Sequence, residues 1–125
     1  MSPNSSSSGI LWTGRDPRNQ TVQIKSETWF NKIAKTPDRK WLLFYLDTVK
    51  ATLVDPRFIT MDATHENREH YVDLFYPEEF GHIMGIVIVT EQLTNGSREF
   101  VTVVPKSELR QEKGSVLYER PRPTI

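Results

Sequence analysis

The chain has 125 residues, of which 16 are Lys or Arg and 16 are Asp or Glu, so its formal net charge is zero. With this balance, binding of a nucleic acid would require a local basic patch rather than the charge of the whole domain. The absence of cysteine excludes disulfides, zinc sites built on thiolates and cysteine nucleophiles. No apolar run approaches the roughly 20 residues that a membrane span requires. We therefore predict a cytoplasmic protein that does not associate with membranes.

The ends of the chain differ in composition from its centre. The hydrophobic residues are concentrated between Trp29 and Val104, whereas the ends are rich in Ser, Pro and Arg. We predict a disordered or loosely packed arm at residues 1–18, a single domain at residues 19–119 and a mobile tail at residues 120–125.

Two helices are predicted in the first half of the chain, after a short edge strand that the alternation at residues 21–25 indicates. Ser26 is a suitable cap for the first helix, and Pro37 ends it because proline disfavours helical geometry at the preceding residue. The second helix begins at Asp38 and stops at Asp55, and its apolar residues recur at helical spacing. This stripe consists of Leu42, Tyr45, Leu46, Val49 and Leu53.

The second half of the chain is typical of β-strands. Predicted strands cover residues 57–61, 70–76, 82–92, 98–104 and 115–119. The pattern predicts an α+β domain in which the helices come first and an antiparallel sheet follows.

The dipeptide Asn95-Gly96 is the strongest turn signal, because both central residues of a two-residue hairpin loop need a positive φ. If these two residues form the loop, Val89 lies opposite Thr102. One face of the hairpin then carries Val87, Val89, Glu91, Phe100, Thr102 and Val104. The other face carries Ile86, Ile88, Val101 and Val103, and we expect it to pack on the helices. A slip of one residue would exchange the two faces.

Standard catalytic motifs are absent from the sequence, including a phosphate-binding glycine loop, a nucleophile elbow and a zinc-protease helix. The histidines do not lie at the spacing of metal ligands, and we predict neither a metal nor a cofactor. Arg68 could bind a phosphate through two parallel hydrogen bonds, and His70 or Tyr71 could transfer a proton. The same residues are also compatible with an ordinary solvated strand end.

Three further polar residues are candidates for a site. Thr102 interrupts an apolar strand, although Thr is also a common strand residue. Lys32 and Lys35 lie near the end of the first helix, where cations also stabilise the helix dipole.

Several segments, taken in order, resemble the barnase–EndoU–colicin–RelE-like (BECR) nuclease superfamily, in particular its small phage and toxin members. The segments are WFNKIAKTP from Trp29, LVDPRFI from Leu53, REHY from Arg68, IVIV from Ile86, FVTVV from Phe100, and KG before LY from Lys113. The resemblance implies two N-terminal helices packed on a curved antiparallel sheet of four to five strands. It also implies an endoribonuclease that uses no metal, with RNA as its substrate and an inhibitor or immunity protein as its expected partner.

By this resemblance, a ribose 2′-hydroxyl attacks the adjacent phosphate and leaves a cyclic phosphate. The implied catalytic residues are Lys32, Lys35 and Arg68 for the phosphate charge, His70 or Tyr71 for protons, and Thr102 for phosphate orientation. Lys32 and Thr36 stand where family members commonly carry histidine. The alternative is therefore a catalytically inactive member that binds protein or RNA. A third interpretation is a small structural domain that uses a sheet edge as an interface.

Overall fold

The computed structural model describes residues 9–108 and 115–121. It contains seven strands, two α-helices and one 3₁₀ helix. In chain order these are β1 (Ile10–Arg15), β2 (Thr21–Lys25), α1 (Ser26–Ala34), the 3₁₀ helix (Pro37–Tyr45), α2 (Leu46–Val54), β3 (Phe58–Met61), β4 (Arg68–Phe75), β5 (Met84–Gln92), β6 (Arg98–Lys106) and β7 (Val116–Glu119).

The strands form one mixed sheet in the order β1-β2-β6-β5-β4-β3-β7. The pairing of β2 with β6 is parallel, and the other five pairings are antiparallel. The predicted arrangement of two N-terminal helices on an antiparallel sheet of four to five strands is therefore wrong. A strand pair precedes the helices, the sheet has seven strands, and one pairing is parallel because β6, which follows β3, β4 and β5 in the chain, lies beside β2 and runs in the same direction.

The N-terminal region also differs from the prediction. Residues 10–15 of the expected loose arm form β1, and Asp16 is buried in the turn that follows. The strand predicted at residues 21–25 is present as β2, but it lies between β1 and β6 and is not an edge strand. Residues 1–8 of the predicted arm and 122–125 of the predicted tail lie outside the described residues.

The helices lie close to their predicted positions, but the second is divided. α1 runs from Ser26 to Ala34 and buries Trp29 and Ile33. The segment predicted as one long helix is a 3₁₀ helix up to Tyr45 and an α-helix from Leu46. A proline at the first position sets the 3₁₀ segment off from α1.

The hydrophobic core lies between the helices and one face of the sheet, which we call the inner face. It consists of Val22, Ile24, Trp29, Ile33, Leu42, Val49, Leu53, Ile59, Tyr71, Ile86, Ile88, Phe100 and Val103. The sheet curls around this core, so that Arg18, in the turn after β1, reaches Glu69 on β4 with a contact of 2.6 Å. Burial of these large apolar side chains contributes roughly 1.5–3 kcal/mol each before conformational entropy is subtracted.

The β5–β6 hairpin has a different loop from the predicted one. The Leu93 N–H donates to the Ser97 carbonyl at 2.8 Å, which closes a loop of three residues. Gly96 has a φ of 90°, whereas Asn95 is not among the residues with a positive φ. The Asn95 side chain instead accepts a hydrogen bond from the Ser97 N–H. The longer loop shifts the register near the turn by one residue.

A β-bulge in β6 cancels this shift. Thr90 lies opposite Phe100, but Val89 lies opposite Thr102, so Val101 is the extra residue. The predicted pairing of Val89 with Thr102 is therefore confirmed. The predictions that Val101 packs on the helices and Phe100 does not are wrong, because the bulge changes the alternation between them.

Candidate functional site

The predicted site residues are divided between the two sides of the sheet. Successive strand residues point to opposite faces, and Tyr71 belongs to the core on the inner face. Arg68 and His70 therefore point to the other side, which we call the outer face. Thr102 shares that face, because Val89 is the register partner of both His70 and Thr102.

His70 is paired with a carboxylate that sequence reasoning did not select. Its Nε2 lies 2.9 Å from Oδ2 of Asp62, which directly follows β3. The other carboxylate oxygen accepts hydrogen bonds from the backbone N–H groups of Thr64 and His65, at 2.9 and 3.0 Å. The turn after β3 therefore fixes the carboxylate that orients His70.

The electrostatics of this pair follow from the turn. The Thr64 N–H, more than any other group, lowers the pKa of Asp62 well below its usual value, and the hydrogen bond with His70 acts in the same direction. An ionised carboxylate only accepts hydrogen bonds, so Nε2 of His70 carries the hydrogen. In the neutral imidazole, Nδ1 is then the basic nitrogen. The His70 side chain is 20% exposed.

Arg68 lies two residues before His70 on the same face of β4, at a spacing of roughly 6.6 Å. Its Nε is buried and has no hydrogen-bond partner. Although Glu91 is its register partner on β5, the Arg68 side chain forms no ion pair with another described residue. Glu91 instead accepts a hydrogen bond from Asn67. The Arg68 guanidinium therefore has no carboxylate counterion among the described residues.

A row of register partners crosses the outer face at His70. Thr60 on β3 is the partner of His70, and Thr102 lies two strands away on the other side, at roughly 10 Å. The Thr60 hydroxyl is buried and has no hydrogen-bond partner. Val72 and Val87 also lie on this face and are buried. The polar side chains therefore border an apolar area of the outer face.

Tyr71 belongs to a different, internal network. Its hydroxyl donates a hydrogen bond of 2.6 Å to Asp16. Arg18 bonds to Asp16 at 2.8 Å and to Glu69 at 2.6 Å. Arg98 adds a contact of 3.3 Å to Glu69. These contacts tie the turn after β1 to the middle of the sheet.

Burial and hydrogen bonding shift the pKa values of Tyr71 and Asp16. Burial is the largest cause that raises the pKa of Tyr71, followed by the hydrogen bond to Asp16. Burial also raises the pKa of Asp16, but hydrogen bonds from Tyr71, Arg18 and the Gln20 N–H outweigh it, so the pKa falls below its usual value. Tyr71 therefore holds its proton firmly, and Asp16 is a charged acceptor at neutral pH.

Lys32 lies on the exposed side of α1, which packs on the inner face, and the exposed Lys35 directly follows this helix. They are on the opposite side of the sheet from His70 and Arg68. The structure therefore brings together Arg68, His70 and, at a greater distance, Thr102, and it separates them from Tyr71 and the two lysines.

Sequence reasoning missed Asp62 and Thr60. Residues 62–68 read only as a polar turn, and Thr60 read as an ordinary strand residue. The β3–β4 register would have revealed them, because it places Thr60 opposite His70 and Asp62 in the turn that directly follows β3. That register depends on the length of the turn, which composition does not specify.

Neither a metal cluster nor a membrane helix is found in residues 9–108 and 115–121. No three His, Asp or Glu side chains there are grouped to hold a metal ion, and none of the helices has the length and apolar character to cross a bilayer. Comparison of the chain with protein-family models, curated proteins and solved structures finds no match.

Proposed function

We propose that the outer face of the sheet cleaves RNA without a metal, through attack of a ribose 2′-hydroxyl on the adjacent phosphate. The observation that supports this proposal is the oriented Asp62–His70 pair, with the unpaired guanidinium of Arg68 on the same strand and face. A carboxylate that holds an imidazole in one tautomer is a recurrent arrangement in proton transfer.

In the proposed step, His70 removes the proton from the 2′-hydroxyl while the 2′-oxygen forms a bond to phosphorus. The bond from phosphorus to the 5′-oxygen breaks, and the proton held by His70 is passed to that oxygen. The products are a 2′,3′-cyclic phosphate and a 5′-hydroxyl, so atoms and charge balance. Arg68 stabilises the charge of the phosphorane by hydrogen bonds.

The roles assigned to the other residues change with their positions. Thr102 remains a candidate for orienting a neighbouring phosphate, since it shares the outer face. Lys32 and Lys35 are on the far side of the sheet, and Tyr71 is engaged with Asp16, so none of the three is included in this proposed step. The kinship with toxin and phage nucleases, and an inhibitor partner, are predictions that rest on the resemblance of the sequence segments.

A second candidate is an RNA-binding domain that does not cleave. It is favoured by the separation of the predicted catalytic residues, which leaves one imidazole to serve both proton transfers. The two candidates make different predictions for the same protein preparation, because binding would occur in both and a cyclic phosphate would form in only one.

The test is incubation of the protein with an end-labelled RNA in the presence of EDTA. We expect cleavage products that end in a cyclic phosphate, and a decrease of roughly 100-fold or more in rate for His70→Gln. The matched control is His82→Gln, which replaces an exposed histidine in the β4–β5 loop and should leave the rate unchanged.

Two outcomes would overturn the cleavage proposal. One is the absence of cleavage by the wild-type protein while it binds a 2′-O-methylated RNA, which would favour the second candidate. The other is cleavage that neither His70→Gln nor the double variant Arg68→Ala, Thr102→Ala reduces. In that case the nuclease activity would reside elsewhere or in a contaminant.

A further inference from the structure

The junction between α1 and the 3₁₀ helix carries a local excess of positive charge in a chain of zero net charge. Within residues 32–41, four cations occur with a single carboxylate, Asp38. The cations are Lys32, Lys35, Arg39 and Lys40. The three lysines are exposed, and none of the four cations forms an ion pair with a described residue. The three lysines therefore have no carboxylate partner among the described residues, and Arg39 donates a hydrogen bond to the Val103 carbonyl.

Aromatic residues follow these cations directly in the sequence. In a 3₁₀ helix, residues three apart are aligned, so Phe44 lies in line with Trp41. The Phe44 side chain is 87% exposed, although it is a large apolar residue. Phe80, from the β4–β5 loop, packs edge-on against Trp41 with a centroid distance of 4.8 Å and is itself 46% exposed.

Core packing explains only part of this aromatic group. Trp41 stacks on Phe75 and meets Tyr45 edge-on, so its burial contributes to the fold. Phe44 is absent from these ring contacts and is more exposed than any other large apolar residue described. Exposure of such a ring beside unpaired cations is typical of surfaces that bind single-stranded nucleic acid.

We propose that a surface at this junction binds single-stranded RNA. This surface, here called the basic–aromatic surface, consists of Lys32, Lys35, Lys40, Trp41, Phe44 and Phe80. The lysines contact phosphates, and the exposed rings stack on unpaired bases. An unpaired RNA strand uses both features, because its phosphates pair with the lysines and its bases stack on the rings, whereas an acidic protein segment would use only the cations. Glu78 and Glu79 adjoin Phe80 in sequence and limit the surface on that side.

This inference deepens the proposed function, because it specifies an unpaired RNA strand as the substrate and assigns Lys32 and Lys35 to binding. The basic–aromatic surface and the Asp62–His70 pair occupy different parts of the molecule. On β4, Phe75 behind Trp41 is roughly 17 Å from His70. A bound strand would therefore need several nucleotides to reach both places.

The test measures binding separately from cleavage. The probe is a fluorescein-labelled 2′-O-methyl oligouridine of 12 nucleotides, which lacks the attacking hydroxyl, and the readout is fluorescence anisotropy over a series of salt concentrations. We expect the triple variant Lys32→Gln, Lys35→Gln, Lys40→Gln to bind more weakly. The slope of log affinity against log salt should also decrease in magnitude by about 2, since each phosphate contact on a single strand contributes about 0.7.

The ring contribution is tested at Phe44, whose exposure makes misfolding a minor concern. Phe44→Ala should weaken binding roughly tenfold, and Phe44→Trp should restore it because stacking is retained. The matched control for charge is Lys50→Gln on α2, which should bind as the wild-type protein does. Equal binding by the triple variant and the wild-type protein, or no binding by the wild-type protein at low salt, would overturn the inference.

The outcomes also separate this inference from the cleavage proposal. Surface-dependent binding without cleavage of unmodified RNA would support the basic–aromatic surface and contradict the proposed activity. Cleavage that depends on His70 but not on the three lysines or Phe44 would support the activity and contradict this surface.

Discussion

The Tyr71 hydroxyl donates a hydrogen bond of 2.6 Å to the Asp16 carboxylate, which joins the turn after β1 to the middle of β4. These residues are 55 positions apart, and both are buried. Arg18 bonds to the same pair, so an acid, a phenol and a guanidinium form one connected group. The contact holds the first strand pair against the rest of the sheet, and we interpret Tyr71 as a structural residue.

This interpretation predicts that Tyr71→Phe destabilises the fold without changing the chemistry. Loss of one hydrogen bond to a charged acceptor should decrease the free energy of unfolding by about 1.5–3 kcal/mol. Asp16 keeps its bonds to Arg18 and the Gln20 N–H, which limits the loss. Urea unfolding measures the change. A large decrease in RNA cleavage with unchanged stability would instead assign Tyr71 to the catalytic step.

The free energy of unfolding should decrease in acid because the Asp16 carboxylate becomes protonated. Hydrogen bonds in the folded state lower the pKa of Asp16 below the model-compound value of 3.8. A group of this kind stabilises the fold fully above its unfolded pKa, and the contribution is lost as the pH falls through its lower folded pKa. The stability difference between the wild-type protein and Asp16→Asn should therefore shrink as the pH decreases below about 4.

Unfolding curves at several pH values between neutral and about pH 3 test this prediction. Asp47→Asn is the matched control, because the Asp47 side chain is fully exposed, and it should cost less stability at neutral pH than Asp16→Asn. A difference for Asp16→Asn that stays constant or grows in acid would contradict the proposed role of the charged network.

Local sequence patterns predicted individual elements but not the arrangement of the sheet, because they report on local geometry. Helix α1 follows from its apolar spacing and from Pro37, and the Val89–Thr102 pairing was correct. It was correct through two compensating departures, a longer loop and a bulge at Val101. Neither departure could be read from the composition of the hairpin, because the register depends on turn geometry.

The candidate site was less predictable than the fold. Arg68 and His70 could be placed together because they lie two residues apart on one strand. Asp62 could not be assigned to His70, because their contact depends on the β3–β4 turn. Between Ser2 and Arg18 the large aliphatic or aromatic side chains are only Ile10, Leu11 and Trp12, so the place of β1 in the sheet was missed. It depends on long-range pairing and on the Asp16 network, which local propensity does not report.

Gly96 should be the position of the β5–β6 hairpin that is most sensitive to substitution. Its φ of 90° is a backbone conformation that side chains with a Cβ rarely adopt, although an added Cβ would meet nothing within 4 Å. Gly96→Ala should therefore cost about 1 kcal/mol or more through backbone strain alone. Thermal unfolding tests this, with Gly96→Asn as the control that should cost less. An equal or greater loss for Asn would argue against strain as the cause.

Thr60→Val should stabilise the protein. The Thr60 hydroxyl is buried without a hydrogen-bond partner, and an unsatisfied buried hydroxyl costs about 1–3 kcal/mol. Valine has nearly the same shape and suits a strand, so the free energy of unfolding should increase by about 1 kcal/mol. Thr102→Val, which changes a partly exposed residue of the same face, should give a smaller increase. A destabilised variant would show that the hydroxyl has a hydrogen-bond partner in solution.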